Sequence, residues 1–175
     1  MHYHLMTGRL GFRCWEESDL ALAIGLWGDE KVNALIGGPF TAEMVQARLA
    51  GEIAQMREHA VQYWPIFLLE SGEHTGCAGL RPYRVEEGIY ELGVHLRPKF
   101  WRQGLATEAG QAVIAHGFDD LEAEAVFAGH NPANHISKTL LLRLGFVYTH
   151  DEFYPPTGLL HPSYILRKAT RTRGV

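Results

Sequence analysis

The sequence contains few cysteines, no long apolar run and no excess of basic residues. Its two cysteines, Cys14 and Cys77, are too few for a disulfide framework, and both are predicted to be small core residues. The longest apolar runs, such as residues 65–69, fall far short of the roughly 20 residues that span a bilayer. The N-terminus has no basic start followed by an apolar stretch, so no secretory signal is expected. We therefore expect a cytoplasmic protein with no membrane partner.

The charge balance argues against nucleic-acid binding. The chain has 16 basic and 20 acidic residues, a formal net charge of -4, and no basic stripe. Its 10 histidines show no metal-ligand spacing such as H-E-x-x-H, so no metal is predicted. A length of 175 residues suits one compact domain, here residues 1–175.

Hydrophobic periodicity predicts an α/β domain with a mixed sheet and helices on its faces. The expected order of elements is β-α-α-β-β-β-α-β-α-β-β. Strands are predicted at residues 10–13, 63–70, 75–80, 89–96, 125–129, 146–152 and 163–167. Helices are predicted at residues 21–27, from Thr41 to about 59, at 105–118 and at 134–144.

One strand-to-helix junction has the composition of a phosphate-binding loop. Residues 98–108 read PKFWRQGLATE, and the small residues Gly104 and Ala106 lie where the helix starts. A helix N-terminus presents unpaired N–H groups and partial positive charge to an anion. Lys99 and Arg102 add charge nearby. The dinucleotide and Walker fingerprints are absent, and taken alone the segment is equally compatible with an ordinary turn.

A second segment, residues 131–146, reads NPANHISKTLLLRLGF. Asn134 is predicted to cap a helix, and Ser137 lies one turn further on. The expected buried stripe consists of Ile136, Leu140 and Leu144. Capping alone would also explain Asn134 and Ser137.

Together the two segments resemble the GNAT superfamily of N-acetyltransferases, most closely the branch of ribosomal-protein N-terminal acetyltransferases. Residues 90–108 are similar to the branch signature E-[IL]-G … P-x-x-W-x-x-G-x-A-T-E-A, and residues 134–146 to N-x-x-S-x-x-[VL]-[LM]-x-x-[LM]-G-F. The opening, residues 9–13 with Asp19 and Gly38-Pro39, also fits. The resemblance implies a single GNAT-like domain in which two sheet strands splay apart to hold coenzyme A.

The resemblance implies that acetyl-CoA is bound as co-substrate. The implied contacts are Val94, His95, Leu96, Trp101, Arg102, Gln103, Gly104, Leu105, Ala106, Thr107, Asn134, Ser137 and Lys138. Backbone groups of residues 102–106 would hold the pyrophosphate, Asn134 the pantetheine arm, and Lys138 a phosphate. The wider superfamily has Arg or Gln where Trp101 stands, although this branch often has Trp. The bulky spacer at residues 133–136 leaves the substrate-side geometry open.

The implied reaction is direct attack of a neutral amine on the acetyl carbonyl in a ternary complex. A backbone N–H near Leu96 would polarise the carbonyl, and Ser137 would protonate the leaving sulfur. Glu91 is the favoured base, because strand alternation places Glu91, Gly93 and His95 on the face opposite the apolar set. Glu91 and His95 are four residues apart, roughly 13 Å, which is too far for a direct pair.

The sequence leaves the base, the acceptor and the oligomeric state open. A structural Glu91 would leave His130 or a water molecule as base, whereas His116 is expected to pack against the apolar stripe. The acceptor is expected to be a protein N-terminus or a small-molecule amine, with residues 151–163 and the second helix shaping its pocket. A weak base suits an α-amine, whose reference pKa of about 7.8 lies well below the ~10.4 of lysine. The runner-up is a non-catalytic acetyl-CoA sensor. Either a monomer or a homodimer is compatible with the sequence.

Overall fold

The computed structural model describes residues 2–168, which form one mixed sheet with helices on both faces. The strands are β1 (Leu5–Met6), β2 (Leu10–Phe12), β3 (Tyr63–Leu68), β4 (His74–Arg84), β5 (Ile89–Leu96), β6 (Ala125–Gly129), β7 (Val147–Tyr154) and β8 (Leu159–Arg167). The helices are α1 (Leu20–Trp27), α2 (Glu30–Asn33), α3 (Ala42–His59), α4 (Leu105–Asp119) and α5 (His135–Arg143). The order in the sheet is β1-β2-β3-β4-β5-β6-β8-β7. This arrangement confirms the predicted α/β class.

A separate apolar core covers each face of the sheet. On one face, Leu92 and Leu96 of β5 pack with Leu105, Ala109 and Val113 of α4. On the other face, side chains of α1 and α3 pack against the sheet; this core comprises Trp15, Ala23, Leu26, Trp27, Val32, Val45, Leu49, Tyr63 and Cys77. Side chains of a strand alternate between the two faces of the sheet. The even-numbered residues Leu92 and Leu96 face α4, so the odd-numbered residues of β5 lie on the face covered by α1 and α3, opposite the apolar set, as predicted.

The sheet opens between β5 and β6, which form its parallel pair. They are paired only from Ile89 opposite Ala125 to Glu91 opposite Phe127. Beyond that point β5 continues to Leu96 and β6 to Gly129, and the two strands no longer pair with each other, although β5 stays paired with β4 and β6 with β8. A gap therefore opens at Glu91 and widens toward the end of β5, which confirms the predicted splaying. We call it the β5–β6 gap.

Two predictions about side-chain burial are wrong. Cys14 is exposed, because β2 ends at Phe12 and the chain leaves the sheet there, whereas Cys77 is buried as expected. Ile136 is 73% exposed, because α5 contacts the core through its C-terminal half, where Leu141 is buried.

Within residues 2–168, no helix has both the length and the apolar character needed to cross a bilayer. The same residues contain no group of three or more His, Cys, Asp or Glu side chains arranged to hold a metal ion.

Candidate active site

The N-terminus of α4 lies close in the chain to the wide end of the β5–β6 gap, because α4 begins at Leu105 and β5 ends at Leu96. Gly104, the N-cap residue, has φ 77° and no side chain among residues 2–168 caps the helix. The loop before α4 is held from outside by Arg9, whose Nη1 donates to the Gln103 carbonyl at 3.0 Å. It is held from within by Gln103, whose Nε2 donates to the Lys99 carbonyl at 3.0 Å. The first N–H groups of α4 are thus available to an anion.

Acidic groups near this loop are held by other partners. Glu108, in the first turn of α4, accepts hydrogen bonds from the Arg9 backbone at 2.9 Å and from Arg9 Nε at 2.7 Å. Partial burial alone would raise the pKa of Glu108, but hydrogen bonds from Thr7 and Arg9 lower it overall.

Lys99 forms an ion pair with Glu73 at 2.7 Å, so its charge is largely offset. Arg102, which is exposed, has no such partner among the described residues.

The predicted coenzyme contacts on β5 divide between the two faces. Val94 and Leu96 lie on the α4 face. The Trp101 indole folds back and its Nε1 donates to the carbonyl of Leu96 at 2.7 Å. These three residues therefore lie together at the C-terminal end of β5. The His95 side chain lies on the opposite face, against Tyr63 and Trp27.

The second group of predicted coenzyme contacts lies at the start of α5. Asn134 is the N-cap, and its Oδ1 accepts from the backbone N–H of Ser137 at 3.0 Å. The Ser137 hydroxyl takes no part in this cap. Ser137 is half-buried, and Lys138 is exposed. Asn134 thus does cap the helix, and the hydroxyl of Ser137 has no hydrogen-bond partner among residues 2–168.

His130, the alternative base, is buried. Its Nδ1 lies 2.8 Å from the Asn131 carbonyl oxygen and its Nε2 lies 3.3 Å from the Tyr164 hydroxyl. The imidazole also stacks on the Tyr164 ring at 5.5 Å. Both ring nitrogens are therefore engaged within the protein.

Glu91 is the last residue of β5 that pairs with β6, so it marks the narrow end of the gap. It lies opposite Arg81 in the β4–β5 register and is half-buried. Burial raises the pKa of Glu91, the charge of Arg81 lowers it, the charge of Glu152 raises it, and the net result is a raised pKa. A carboxylate whose pKa is raised toward neutrality is a stronger proton acceptor than an ordinary one.

His95, two residues after Gly93 on the same face, is held as a neutral imidazole. Trp27 Nε1 donates to His95 Nδ1 at 3.2 Å, which places the ring proton on Nε2. Burial lowers the pKa of His95 well below its usual value, and the charges of Arg48 and Arg81 lower it further. His95 is therefore a hydrogen-bond donor from Nε2 and not a cation.

Four further residues of this face, namely Trp27, Arg48, Tyr63 and Arg81, were not found from the sequence, nor was Glu52, which contacts two of them. Arg81 forms an ion pair with the buried Glu52 and lies 4.1 Å over the Tyr63 ring. Glu52 also accepts from the backbone N–H of Tyr63 at 2.8 Å. Arg48 lies 4.6 Å from the Trp27 ring. One feature of the sequence could have pointed to them: two charged residues, Arg48 and Glu52, lie four positions apart within the apolar stripe of α3. We use the name acceptor face for the side chains of Trp27, Arg48, Tyr63, Arg81, Glu91 and His95, of which Trp27 and Tyr63 are buried and the other four half-buried.

The β7–β8 hairpin contributes to the surroundings of the acceptor face. Tyr83 donates to Glu152 of β7 at 2.9 Å, and Glu152 is close enough for its charge to act on Glu91. A Cβ at Gly37 would lie 2.8 Å from Cβ of Pro156, so the segment between α2 and α3 touches the hairpin turn.

Comparison with known proteins identifies the family. The family model described as acetyltransferase (GNAT) domain matches residues 9–147. The uncharacterized N-acetyltransferase p20 of Bacillus licheniformis is 32% identical over 148 residues, 81% of each chain. A GNAT-family acetyltransferase of Bacillus anthracis has a TM-score of 0.78 and 22% identity, covering 92% of this chain and 95% of that one. RimL, a ribosomal L7/L12 α-N-protein acetyltransferase solved with coenzyme A, has a TM-score of 0.79 and 16% identity, covering 92% and 95%.

The chain therefore belongs to the GNAT acetyltransferase family, which confirms the resemblance seen in the sequence. It is an acyltransferase, and acetyl-CoA is its co-substrate. The uncapped end of α4 fits the phosphates of this molecule, because its free N–H groups and the exposed Arg102 offer binding to an anion.

Proposed function

We propose that this protein acetylates a primary amine by direct attack of the amine in a ternary complex. The supporting observation is the β5–β6 gap, which has an uncapped helix N-terminus near its wide end and a carboxylate of raised pKa at its narrow end. The acceptor face borders the same carboxylate, so an amine there would meet both the base and the acyl donor.

In this proposal acetyl-CoA supplies an activated acetyl group, and the chain positions it. Backbone N–H groups of residues 104–107 bind the pyrophosphate, with Arg102 and Lys138 adding charge. Backbone groups of Val94 and Leu96 flank the pantetheine arm, and Asn134 contributes its free amide N–H groups from α5.

The proposed proton transfers use two side chains of the site, each of which has no hydrogen-bond partner among residues 2–168. Glu91 accepts the proton of the incoming ammonium, because burial makes its carboxylate more basic than an exposed one. Ser137 donates its hydroxyl proton to the leaving sulfur and takes up the proton that the attacking nitrogen loses, so the hydroxyl is restored. His130 is disfavoured as base, since both of its ring nitrogens have partners inside the protein.

A carboxylate base favours an α-amine. Even with a raised pKa, Glu91 remains a weak base compared with a lysine amine. Deprotonating a lysine at pH 7.5 costs about 4 kcal/mol, whereas an α-amine costs only a few tenths. The preferred acceptor class is thus a peptide N-terminus or a small molecule with an α-amine.

Titration calorimetry with acetyl-CoA tests the first part of this proposal, with ATP and NADH as controls. We expect micromolar binding of acetyl-CoA and much weaker binding of both controls. Release of free thiol with an α-amine, at a rate that depends on both substrates together, supports a ternary complex. A stable acetylated enzyme formed in the absence of amine would contradict direct attack.

A further inference from the structure

Arg48 is a cation on the acceptor face with no anionic partner. It is half-buried on the inner side of α3, with its guanidinium 4.6 Å from the Trp27 ring and 5.9 Å from the Phe40 ring. Its Nε atom is buried, and no hydrogen bond or ion pair reaches the side chain from any of residues 2–168. A buried guanidinium is normally paired, because removing it from water without an anion is costly.

The nearest carboxylate is already fully used. Glu52, one turn further along α3, has one oxygen in contact with Arg81 and accepts the Tyr63 N–H at 2.8 Å with the other. Glu52 therefore forms its ion pair with Arg81, and its charge reaches Arg48 only at a distance, without a hydrogen bond or an ion pair. Burial lowers the pKa of Arg48 and the like charge of Arg81 lowers it further, although a guanidinium stays protonated in proteins.

Arg48 is also linked to the reacting end of the acceptor face. It stacks on Trp27, and Trp27 donates to His95 at 3.2 Å. His95 shares a face of β5 with Glu91, and the charge of Arg48 acts on the Glu91 carboxyl. The proposed base and the unpaired cation thus lie on the same face of the sheet, close enough for their charges to interact.

We propose that Arg48 binds a carboxylate of the acceptor, so that the substrate is an amine that also carries a carboxylate. This inference rests on the proposed function. The amine lies at Glu91, and the carboxylate takes the place of the missing anion at Arg48. Stacking on Trp27 fixes the plane of the guanidinium and leaves its edge for a planar, bidentate partner. A carboxylate matches one such edge, whereas a phosphate would call on further donors, and Arg81 is occupied by Glu52.

Two kinds of molecule share this chemistry, namely free amino acids and peptides with an acidic residue near the N-terminus. Thiol release measured with the 20 amino acids and their amides tests the first. Amidated dipeptides that differ only in Glu or Gln at the second position test the other. For whichever of these two kinds of acceptor the enzyme uses, we expect the compound with the carboxylate to have a kcat/KM about 10- to 100-fold higher than its amide or glutamine counterpart.

Three variants assign that preference to Arg48. Arg48→Met keeps the stacked stem but removes the charge, and it should abolish the preference while acetyl-CoA binding is unchanged. Arg48→Lys, which keeps the charge without the bidentate edge, should retain part of the preference. Arg57→Met is the matched control, because Arg57 is exposed on the same helix and should keep the full preference.

The outcomes separate this inference from the proposed function. If neutral acceptors are acetylated as well as carboxylates, or if Arg48→Met keeps the preference, Arg48 is not the specificity determinant but acetyl transfer stands. Acetyl-CoA binding without turnover of any carboxylate-bearing acceptor also overturns the inference. Thermal unfolding of each variant shows whether a loss of activity is due to misfolding. If Arg48→Met does not fold, the carboxylate preference of Arg48→Lys decides whether Arg48 is the specificity determinant.

Discussion

The phenol ring of Tyr63 lies directly on Gly93, at the centre of the acceptor face. A Cβ at position 93 would come within 2.6 Å of the Tyr63 hydroxyl oxygen and closer still to the ring. Arg81 stacks on the same ring at 4.1 Å, and the backbone N–H of Tyr63 holds Glu52. The absence of a side chain at Gly93 therefore permits the packing between β3 and β5 on which the charged residues depend.

Gly93→Ala should displace the Tyr63 ring and lower the free energy of unfolding by about 1–3 kcal/mol, the usual cost of overpacking a core. Acetyl transfer should fall as well, because Arg81 and Glu91 would move together with Tyr63. Urea unfolding and thiol release measure the two effects. The control is Gly51→Ala on α3, where a Cβ meets nothing within 4 Å and helix propensity predicts a gain of about 0.5–1 kcal/mol.

Substitutions at Gly104 should separate the phosphate-binding role of the α4 N-terminus from its folding role. Gly104→Asn and Gly104→Asp share the cost of φ 77° and have the same size, but only aspartate adds negative charge. We expect Gly104→Asp to weaken acetyl-CoA binding at least ~10-fold relative to Gly104→Asn, by repulsion of the pyrophosphate. Calorimetry at two salt concentrations checks this, since screening should reduce the difference.

Equal affinity of Gly104→Asp and Gly104→Asn would mean that the phosphates bind elsewhere. Matching thermal stability of the two variants is the necessary control for this comparison.

Periodicity predicted the elements that have a clear buried face. The bounds of β5 and β6 were predicted correctly, and α3 begins after Thr41, whose hydroxyl accepts from Met44 N–H at 3.3 Å. Elements that are too short to show a period were missed, namely the two residues of β1 and the four residues of α2. The edge strand β7 was predicted too short, because it is exposed almost throughout and has no buried face to set its limits.

The two sides of the candidate site also differ in how far the sequence predicted them. Its coenzyme side lies in two continuous segments, around Gly104 and Asn134, so the sequence alone predicted it. Its acceptor side combines α1, α3, β3, β4 and β5, which only the sheet register brings together. A charged residue such as Arg48 has no local pattern that reveals what it faces across the sheet.

Replacing Glu91 by glutamine should remove the base and reduce kcat by about 10²-fold or more. In the wild type, the rate should fall as the pH drops through the raised pKa of Glu91, because only the ionised carboxylate accepts a proton. Glu91→Gln should lack this acidic limb. Glu152→Gln should move the limb to lower pH, since the Glu152 charge helps to raise the pKa of Glu91.

A pH–rate profile of Glu91→Gln that coincides with the wild-type profile would assign Glu91 a structural role and leave a water molecule as the base.

Ser137→Ala should reduce kcat about 10-fold or more while leaving acetyl-CoA affinity and stability unchanged, because the helix cap uses the backbone of Ser137 and not its hydroxyl. Asn134→Ala is the contrasting variant. It removes the cap acceptor and should cost about 1 kcal/mol in unfolding free energy. A stable Ser137→Ala protein with full activity would exclude Ser137 as the proton donor.

His74 should make the fold sensitive to acid. Its ring is buried between Trp15 at 5.7 Å and Phe67 at 5.3 Å, and neither ring nitrogen has a hydrogen-bond partner among the described residues. Burial, reinforced by the charge of Arg97, lowers the pKa of His74 from 6.5 to about 4. Between these two pH values the unfolded chain binds a proton that the folded chain does not, so stability falls as the pH falls. The loss approaches about 3 kcal/mol.

His74→Phe keeps a flat ring between the same neighbours and removes the titrating group. It should be at least as stable as the wild type near neutral pH and should lose less stability between about pH 6.5 and 4. Urea unfolding at several pH values measures both slopes, and His59→Gln, at an exposed position of α3, should leave the slope unchanged. If His74→Phe is as acid-sensitive as the wild type, protonation of the paired carboxylates, such as Asp19 beside Arg13, accounts for the loss instead.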